Sequence, residues 1–302
     1  MTDLDPGPGR CIVCGEDPPS GTLFARDGHR MVRCPRCRLV YQHPQPSDET
    51  LDATYYHDPA WTEELAGNIR ELTVQRAREQ LLRIRDHGVP ASGRVLDVGC
   101  SDGSWLEVVG QYGAQATGVE IGETTAAAAR ERGFDVHTGT LDDAVPALEG
   151  TSFDLVTFWD VLEHLRDPRH EIGVARDLLR PGGHIAASMP NVEGWYPRAS
   201  RRLLAGRTGV WEYPELPVHL YDFSPRTITG VLEAAGFVDV RVRTYATPWW
   251  YYRWTSLSLD TIGRDRRGKA IRIAFELLHL PLYPLARWAG RENSLFVTAR
   301  RP

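Results

Sequence analysis

Lysine is nearly absent from this 302-residue chain: Lys269 stands alone, and arginine supplies almost all of the positive charge. Such an imbalance records codon bias before it records function. Also missing is any run of about eighteen consecutive apolar residues, which argues against a membrane-spanning helix. The opening MTDLDPGPGR lacks the apolar segment of a secretory signal, so the expected location is cytoplasmic. There is no basic excess either. The net charge of −5 argues against bulk nucleic-acid binding and leaves only local basic patches. What is present is ordinary: 42% apolar and 25% charged residues, enough for a large core. One main α/β domain with appendages is expected.

Cysteine is scarce but concentrated. Four of the five fall in the first forty residues, as Cys11-x2-Cys14 and Cys34-x2-Cys37. Two such knuckles joined by GTLFARDGHRMVR, with its hairpin-like alternation, have zinc-ribbon spacing. A pair of disulfides is the competing reading, and it fits poorly in a chain expected in the cytoplasm. A tetrahedral site with all four positions filled by Cys11, Cys14, Cys34 and Cys37 holds a structural zinc, with no open position for catalysis. Arg26, Arg30, Arg33, Arg36 and Arg38 crowd the same stretch. No stacking aromatics accompany them, so a solvated basic face is preferred to a nucleic-acid reader.

Residues 39–59 are rich in proline, tyrosine and aspartate and read as a linker, in which Tyr56 is a candidate for closing a substrate pocket. Thr62 then caps a long helix reaching about His87, with Leu65, Ile69, Leu72, Leu81 and Ile84 along its buried side. Strands and helices alternate regularly afterwards. Strands are expected at Arg94–Val98, Ala116–Glu120, Phe134–His137, Phe153–Trp159, His184–Met189, Val238–Tyr245 and Ser294–Arg300. The fold class is therefore α/β, with a mostly parallel sheet and helices on both faces. A helix over Arg169 to Leu179 is expected to stop at Arg180-Pro181-Gly182-Gly183. Helical insertions are expected at about 190–217 and 247–292.

The chemistry centres on RVLDVGCSDGS, residues 94–104, where a strand gives way to a glycine turn and a helix start. The turn is not the dinucleotide fingerprint G-x-G-x-x-G, because Ser101 and Ser104 stand at its second and third glycine positions. A cofactor without a pyrophosphate fits better, which disfavours a nicotinamide-dependent oxidoreductase. Glu120 ends the second strand, where a carboxylate can accept both hydroxyls of a ribose. Replacing it by alanine is expected to weaken cofactor binding with the fold intact. Asp142, after the third strand, can meet an adenine amine, with Asp143 as an adjacent rival.

The segments VLDVGCSDG, GVE, FDLVTFWDVLEHLRDP and LLRPGGHIAASMPN together resemble the successive motifs of class I S-adenosylmethionine-dependent methyltransferases, over about residues 62 to 245. The resemblance implies a Rossmann-like seven-stranded sheet whose last strand is antiparallel. It also implies that Asp97, Gly99 and Gly103 hold the methionine portion, Glu120 the ribose, and Leu141 with Asp142 the adenine. Trp159 and Asp160 would lie at the sulfonium end. The implied domains are a zinc ribbon at 1–45, a linker at 46–61 and a methyltransferase domain over 62–302. With CRLVYQHPQPS and PVHLYDFSPRTITGVLEAAGF added, the chain is similar to small-molecule methyltransferases that include sugar C-methyltransferases, which implies a metabolite acceptor in natural-product or sugar biosynthesis.

Methyl transfer from a sulfonium is an in-line displacement in which alignment and desolvation are the enzyme's main tasks. A base is needed only where the acceptor must lose a proton, and His164 and His219 are the candidates. Tyr221 is a further candidate for substrate contact. The 247–292 stretch, aromatic then basic then amphipathic, can lie on a membrane surface. It can equally cap the site or form a homodimer interface, the preferred reading because Pro281 and Pro284 interrupt the apolar face. The rival functions are an RNA methyltransferase that reads through its ribbon and a non-catalytic binding module of the same fold.

Overall fold

The computed structural model of the protein describes residues 4–5, 9–55, 69–205, 215–246, 277 and 280–302. Tyr56, the Thr62 cap and most of the 247–292 insertion lie outside the described residues.

In chain order, β1 (Leu4–Asp5) is followed by β2 (Phe24–Arg26), β3 (His29–Arg33), β4 (Val40–Gln42) and β5 (Gln45–Pro46). Helix α1 (Asp48–Tyr55) comes next, inside the stretch expected as a linker. Local chemistry explains it: the Ser47 hydroxyl accepts the Thr50 N–H at 3.2 Å, and Asp48 and Glu49 occupy the first turn, where the helix dipole favours them. Helix α2 (Ile69–Asp86) is the described part of the long helix, with Ala77, Leu81 and Ile84 buried one turn apart.

The alternating region then runs β6 (Gly93–Val98), α3 (Ser104–Gln111), β7 (Ala114–Glu120), α4 (Glu123–Glu131), β8 (Asp135–Thr138), α5 (Leu141–Leu148), β9 (Phe153–Trp159), α6 (Pro168–Leu178) and β10 (Leu179–Pro190). After α7 (Trp195–Ser200) and a π turn at Arg201–Ala205 come β11 (Tyr221–Asp222), α8 (Pro225–Ala234), β12 (Val238–Tyr245), α9 (Tyr283–Trp288) and β13 (Ser294–Arg300). Among the described residues no helix is long and apolar enough to cross a membrane.

Seven strands form the main sheet, in the order β12-β13-β10-β9-β6-β7-β8. The pairs β6–β7, β6–β9, β7–β8 and β9–β10 are parallel, as the alternation predicts. Strand β9 is central, and its Phe153, Leu155, Val156 and Phe158 are all within 1% of complete burial, which accounts for its unbroken apolar sequence. One boundary differs from expectation. Strand β10 begins at Leu179, five residues early, and carries Pro181-Gly182-Gly183 within it as a shift of register against β9. Gly182 has φ of 77°, and a Cβ on Gly183 would meet the Arg180 carbonyl at 2.9 Å, so the two glycines permit a bulge in the strand, while the helix before it ends at Leu178, within a residue of the expected stop.

A second, four-stranded antiparallel sheet has the order β11-β4-β3-β2. Its three amino-terminal strands are the hairpin expected between the cysteine knuckles and its continuation. The fourth, β11, comes from far along the chain, with Tyr221 opposite Tyr41 and Asp222 opposite Val40. Gln42 locks this addition, donating from Nε2 to the Pro217 and His219 carbonyls at 2.6 and 2.7 Å.

Two compact units are distinguishable. One gathers Met1–Tyr55, Pro190–Thr227 and Arg243–Leu295, the other Tyr56–Met189, Ile228–Val242 and Phe296–Pro302. Each interleaves three segments, whereas the boundaries expected from the sequence are linear.

Candidate functional site

The glycine turn after β6 belongs to the second unit and is fastened from below. Asp97, 1% exposed, accepts a hydrogen bond from the Thr157 hydroxyl on β9 at 2.6 Å. Burial pushes its carboxyl well above the usual range, and the charge of Glu120 adds to that shift. The Gly99 N–H donates to the Val119 carbonyl at 2.8 Å. Gly99 has φ of 76°, and a Cβ there would stand 2.5 Å from Val161 Cγ2. Gly103 has φ of 77° and faces Phe134 at 2.7 Å in the same sense. Both glycines therefore answer to packing within the protein as well as to any ligand. Gly99→Ala is expected to cost about 2–4 kcal/mol in urea unfolding, from the left-handed backbone and the collision with Val161 together. A variant as stable as the parent would contradict the tight turn.

Two residues that the sequence gave no reason to single out complete this turn. Asp102 Oδ1 accepts the Ser104 N–H at 3.0 Å and the Ser104 hydroxyl at 2.7 Å, tying the start of α3. Gly118 leaves room for Cys100, whose Sγ would be 2.5 Å from a Cβ at that position. Only cross-strand register could have shown this, since Gly118 reads as an ordinary strand residue.

Glu120 ends β7 with both carboxylate oxygens engaged. Oε2 accepts the Ser101 N–H and Oε1 the Gly122 N–H, each at 2.8 Å. Burial raises its pKa, opposed by the backbone donors of Gly122 and Ser101. Thr125 and Ile121 also hydrogen-bond to this carboxylate, which has about four acceptor positions in all.

After β8 the two adjacent aspartates separate. Asp143 closes a capping box with Thr140, its Oδ2 accepting the Thr140 N–H at 2.9 Å and the hydroxyl at 2.7 Å. Asp142 is exposed and pairs with His170 Nε2 at 2.9 and 3.1 Å. Leu141 between them and Thr140 is buried. The pairing with Asp142 raises the pKa of His170. Neighbouring Glu171 is raised from 4.5 to about 7 by burial and then by the charge of Asp142. A folded-state pKa above the unfolded one means stability that is full below about pH 4.5 and is lost as pH rises through about 7. Discounted for partial exposure, the effect is about 1–2 kcal/mol. Thermal melts from pH 4.5 to 8 should therefore decline more steeply for the parent than for Glu171→Gln. Parallel curves would dismiss Glu171 as the source.

At the end of β9, Trp159 packs edge-on to Trp105, with centroids 4.9 Å apart, and stacks on Phe296 at 5.8 Å. Asp160 follows with φ of 53°, its N–H bonded to the Ser188 carbonyl at 2.9 Å and its carboxylate paired with Arg76. Left-handed backbone at a non-glycine residue carries strain that surrounding contacts must hold.

The two histidines belong to different units. His164 is half-buried in the turn after β9, its N–H bonded to the Val161 carbonyl at 2.9 Å. His219 is 4% exposed, with Asp222 3.8 Å from Nδ1 and Glu215 3.7 Å from Nε2. Burial raises the pKa of Asp222, partly offset by His219. Tyr221, a candidate for substrate contact, is 1% exposed: its ring stacks between Tyr41 and Phe223, and its hydroxyl accepts from Gln45 at 3.1 Å. That side chain is part of the core of the first unit.

Also in the first unit, the four cysteines converge. Their sulfurs lie within 4.8 Å of one another, with Cys11 to Cys37 at 3.3 Å and Cys14 to Cys34 at 3.5 Å. The 3.3 and 3.5 Å separations are too long for disulfides and lie a few tenths of an ångström under the roughly 3.8 Å edge of a tetrahedron with Zn–S bonds of about 2.3 Å. The donor set fits a closed zinc site. Burial pushes the Cys11 thiol up to about 11, a cost that coordination by a cation would remove.

Residues 69–242 match the family described as "Methyltransferase domain". The chain belongs to that methyltransferase family. The chain is 34% identical over 145 residues to the ubiquinone biosynthesis O-methyltransferase of Stutzerimonas stutzeri, covering 46% of this chain and 60% of that protein. The corresponding Pseudomonas aeruginosa protein is 36% identical over 107 residues, covering 33% of this chain and 46% of that one. The chain thus spans 60% and 46% of the length of these relatives. Among solved structures, the SAH-bound magnesium protoporphyrin IX methyltransferase of Synechocystis superposes with a TM-score of 0.54 at 17% identity, covering 84% of this chain and 100% of that one. A SAM-dependent methyltransferase from Archaeoglobus fulgidus gives 0.52 at 20% identity, with 77% and 94% covered. The methyltransferase domain accordingly has the Rossmann-like fold of SAM-dependent enzymes, with its strand order and its glycine turn at the end of β6.

Proposed function

We propose that the protein transfers the methyl group of S-adenosylmethionine to a hydroxyl of a small organic metabolite. The observation that carries this reading is Glu120 at the end of β7, its carboxylate fixed beside the glycine turn by the Ser101 and Gly122 amides. A carboxylate held at that place suits the two hydroxyls of a ribose. The glycine turn with Asp97, Gly99 and Gly103 would hold the methionine portion, and Leu141 with Asp142 the adenine. Asp142 suits an exocyclic amine better than Asp143, whose carboxylate is spent on the capping box. Trp159 and Asp160 would border the sulfonium.

Bound there, the cofactor supplies an electrophilic methyl group on a neutral leaving group. The protein's own work is alignment and exclusion of water, which the packed Trp105–Trp159–Phe296 rings support. A hydroxyl acceptor must lose a proton, and His164 and His219 are proposed for that step, with Asp222 orienting His219. The hydroxyl reading rests on the name of the relatives, and a natural-product or sugar setting on the amino-terminal ribbon's resemblance. A structural zinc held by Cys11, Cys14, Cys34 and Cys37 completes the proposal.

Titration calorimetry of the full chain with S-adenosylhomocysteine tests the reading. One site per chain is expected, and no heat would overturn it.

A further inference from the structure

Asp142 and His170 stand in the first turns of two helices that pack together, α5 and α6. Asp167 caps α6, its Oδ1 accepting the N–H groups of Arg169 and His170 at 3.0 and 3.2 Å, which fixes the backbone of His170. From there His170 Nε2 reaches both oxygens of Asp142, at 2.9 Å to Oδ2 and 3.1 Å to Oδ1. A carboxylate only accepts, so Nε2–H is the donor in the neutral ring as in the cation. The neighbouring Asp143 is tied to Thr140 instead. The pairing therefore picks out one of two adjacent carboxylates.

A helix alone would not favour this placement. Its first turn carries the positive end of the dipole, where an imidazolium is disfavoured. The hydrogen bond from Asp142 reverses that preference and raises the pKa of His170, against a small cost of burial and with the charges of Asp142, Glu171 and Asp167 in support. Asp142 acts from α5, Asp167 from the cap of α6 and Glu171 from α6 itself. Both Asp142 and His170 are exposed, so the pair is open to a ligand, and a single N–H leaves acceptor positions of Asp142 unused. An exposed carboxylate with no partner would sample several rotamers, and the imidazole holds it in one.

We infer that His170 is a positioning residue of the cofactor site, which holds the Asp142 carboxylate for the exocyclic amine of adenine and so sets the preference for an adenine base. The inference rests on the proposed contact between Asp142 and adenine. An amine donates to a carboxylate, whereas the carbonyl that replaces it in hypoxanthine is repelled. A carboxylate held in place makes that distinction, while a mobile one can turn aside or swing to the ring N–H of hypoxanthine. A base laid over Asp142 also strips water from its charge, and protonated His170 offsets that cost. Affinity therefore falls as pH rises and His170 loses its proton.

The test is calorimetry of the full chain with S-adenosylhomocysteine and with S-inosylhomocysteine, in which a carbonyl replaces the amine. The parent is expected to prefer the adenine compound by roughly tenfold or more. His170→Ala should cut that preference by about threefold or more, through weaker binding of the adenine compound alone. His170→Gln keeps a neutral donor and should recover part of it. Because Glu171 also titrates at about 7, the pH arm uses the Glu171→Gln background. There the affinity for the adenine compound should fall from about pH 5.5 to 8 with His170 present and stay level with His170→Gln. An unchanged preference in His170→Ala, equal weakening of both compounds, or the same pH profile with and without His170 would overturn the positioning role. Binding of both compounds by the parent with equal affinity would overturn it too, and leave the cofactor reading standing. A parent chain that binds neither would overturn the cofactor reading and this one with it.

Discussion

Replacing Glu120 by alanine should lower the affinity for S-adenosylhomocysteine by roughly ten- to a hundredfold, equivalent to about 1.4–2.7 kcal/mol. The fold should lose stability with it, contrary to what the position in the sequence alone suggests. Both carboxylate oxygens accept backbone N–H groups, from Ser101 in the glycine turn and from Gly122 at the start of α4. Alanine leaves two largely enclosed donors unpaired, at about 1–3 kcal/mol each. Calorimetry and urea unfolding on the same samples separate the two effects. Glu120→Gln refines the test, since it keeps the shape and one acceptor but sets an NH₂ against a backbone N–H. Affinity equal to the parent's in both variants would remove Glu120 from the ribose contact, and unchanged stability would contradict its bridging role.

Removing the metal should have the second large effect. Elemental analysis is expected to find one zinc per chain. Structural zinc sites contribute about 10–16 kcal/mol of apparent binding free energy in isolated fingers, more than most domains have to spare. A strong chelator, or Cys34→Ser, should therefore unfold the ribbon and make the chain around Phe24–Arg33 open to proteolysis. The consequence should reach further than the ribbon, because β4 carries β11 on its other edge and Gln42 fastens the Pro217 and His219 carbonyls. Broadening of the His219 and Tyr221 resonances on chelation would register that spread. A zinc-free sample that keeps the same melting temperature and protease resistance would sink the assignment.

The parts of the fold that were legible in the sequence are those written by near neighbours. The apolar run of β9, the helix-spaced Ala77, Leu81 and Ile84, and the strand, glycine turn and helix around Gly99 and Gly103 depend on residues a few positions apart. Strands Phe153–Trp159, Val238–Tyr245 and Ser294–Arg300 lie where the pattern places them. The Arg180-Pro181-Gly182-Gly183 segment marks the end of the helix as expected but hid the early start of β10, because breaker residues look alike whether they lie outside a strand or kink it. Only the neighbouring strands decide, and here the backbone of Arg301 meets that of Gly182 and Gly183.

The choice between Asp142 and Asp143 shows the same division at the site. Sequence places both in the first turn of a helix. The capping geometry of Thr140 consumes Asp143, while Asp142 points to His170 on a different helix. Tyr221, a candidate for substrate contact from the sequence, lies in a core because β11 pairs with β4, about 180 residues away in the chain.

By itself, then, the sequence determined the α/β alternation, the glycine turn and its acid at Glu120, and the four-cysteine cluster, since spacing along the chain carries each of these. The tertiary structure decided which side chains are spent on holding the protein together and which keep a free donor or acceptor. It did so because hydrogen bonds and charges are satisfied by whatever packing brings within about 3 Å, and that distance has no fixed relation to separation along the chain.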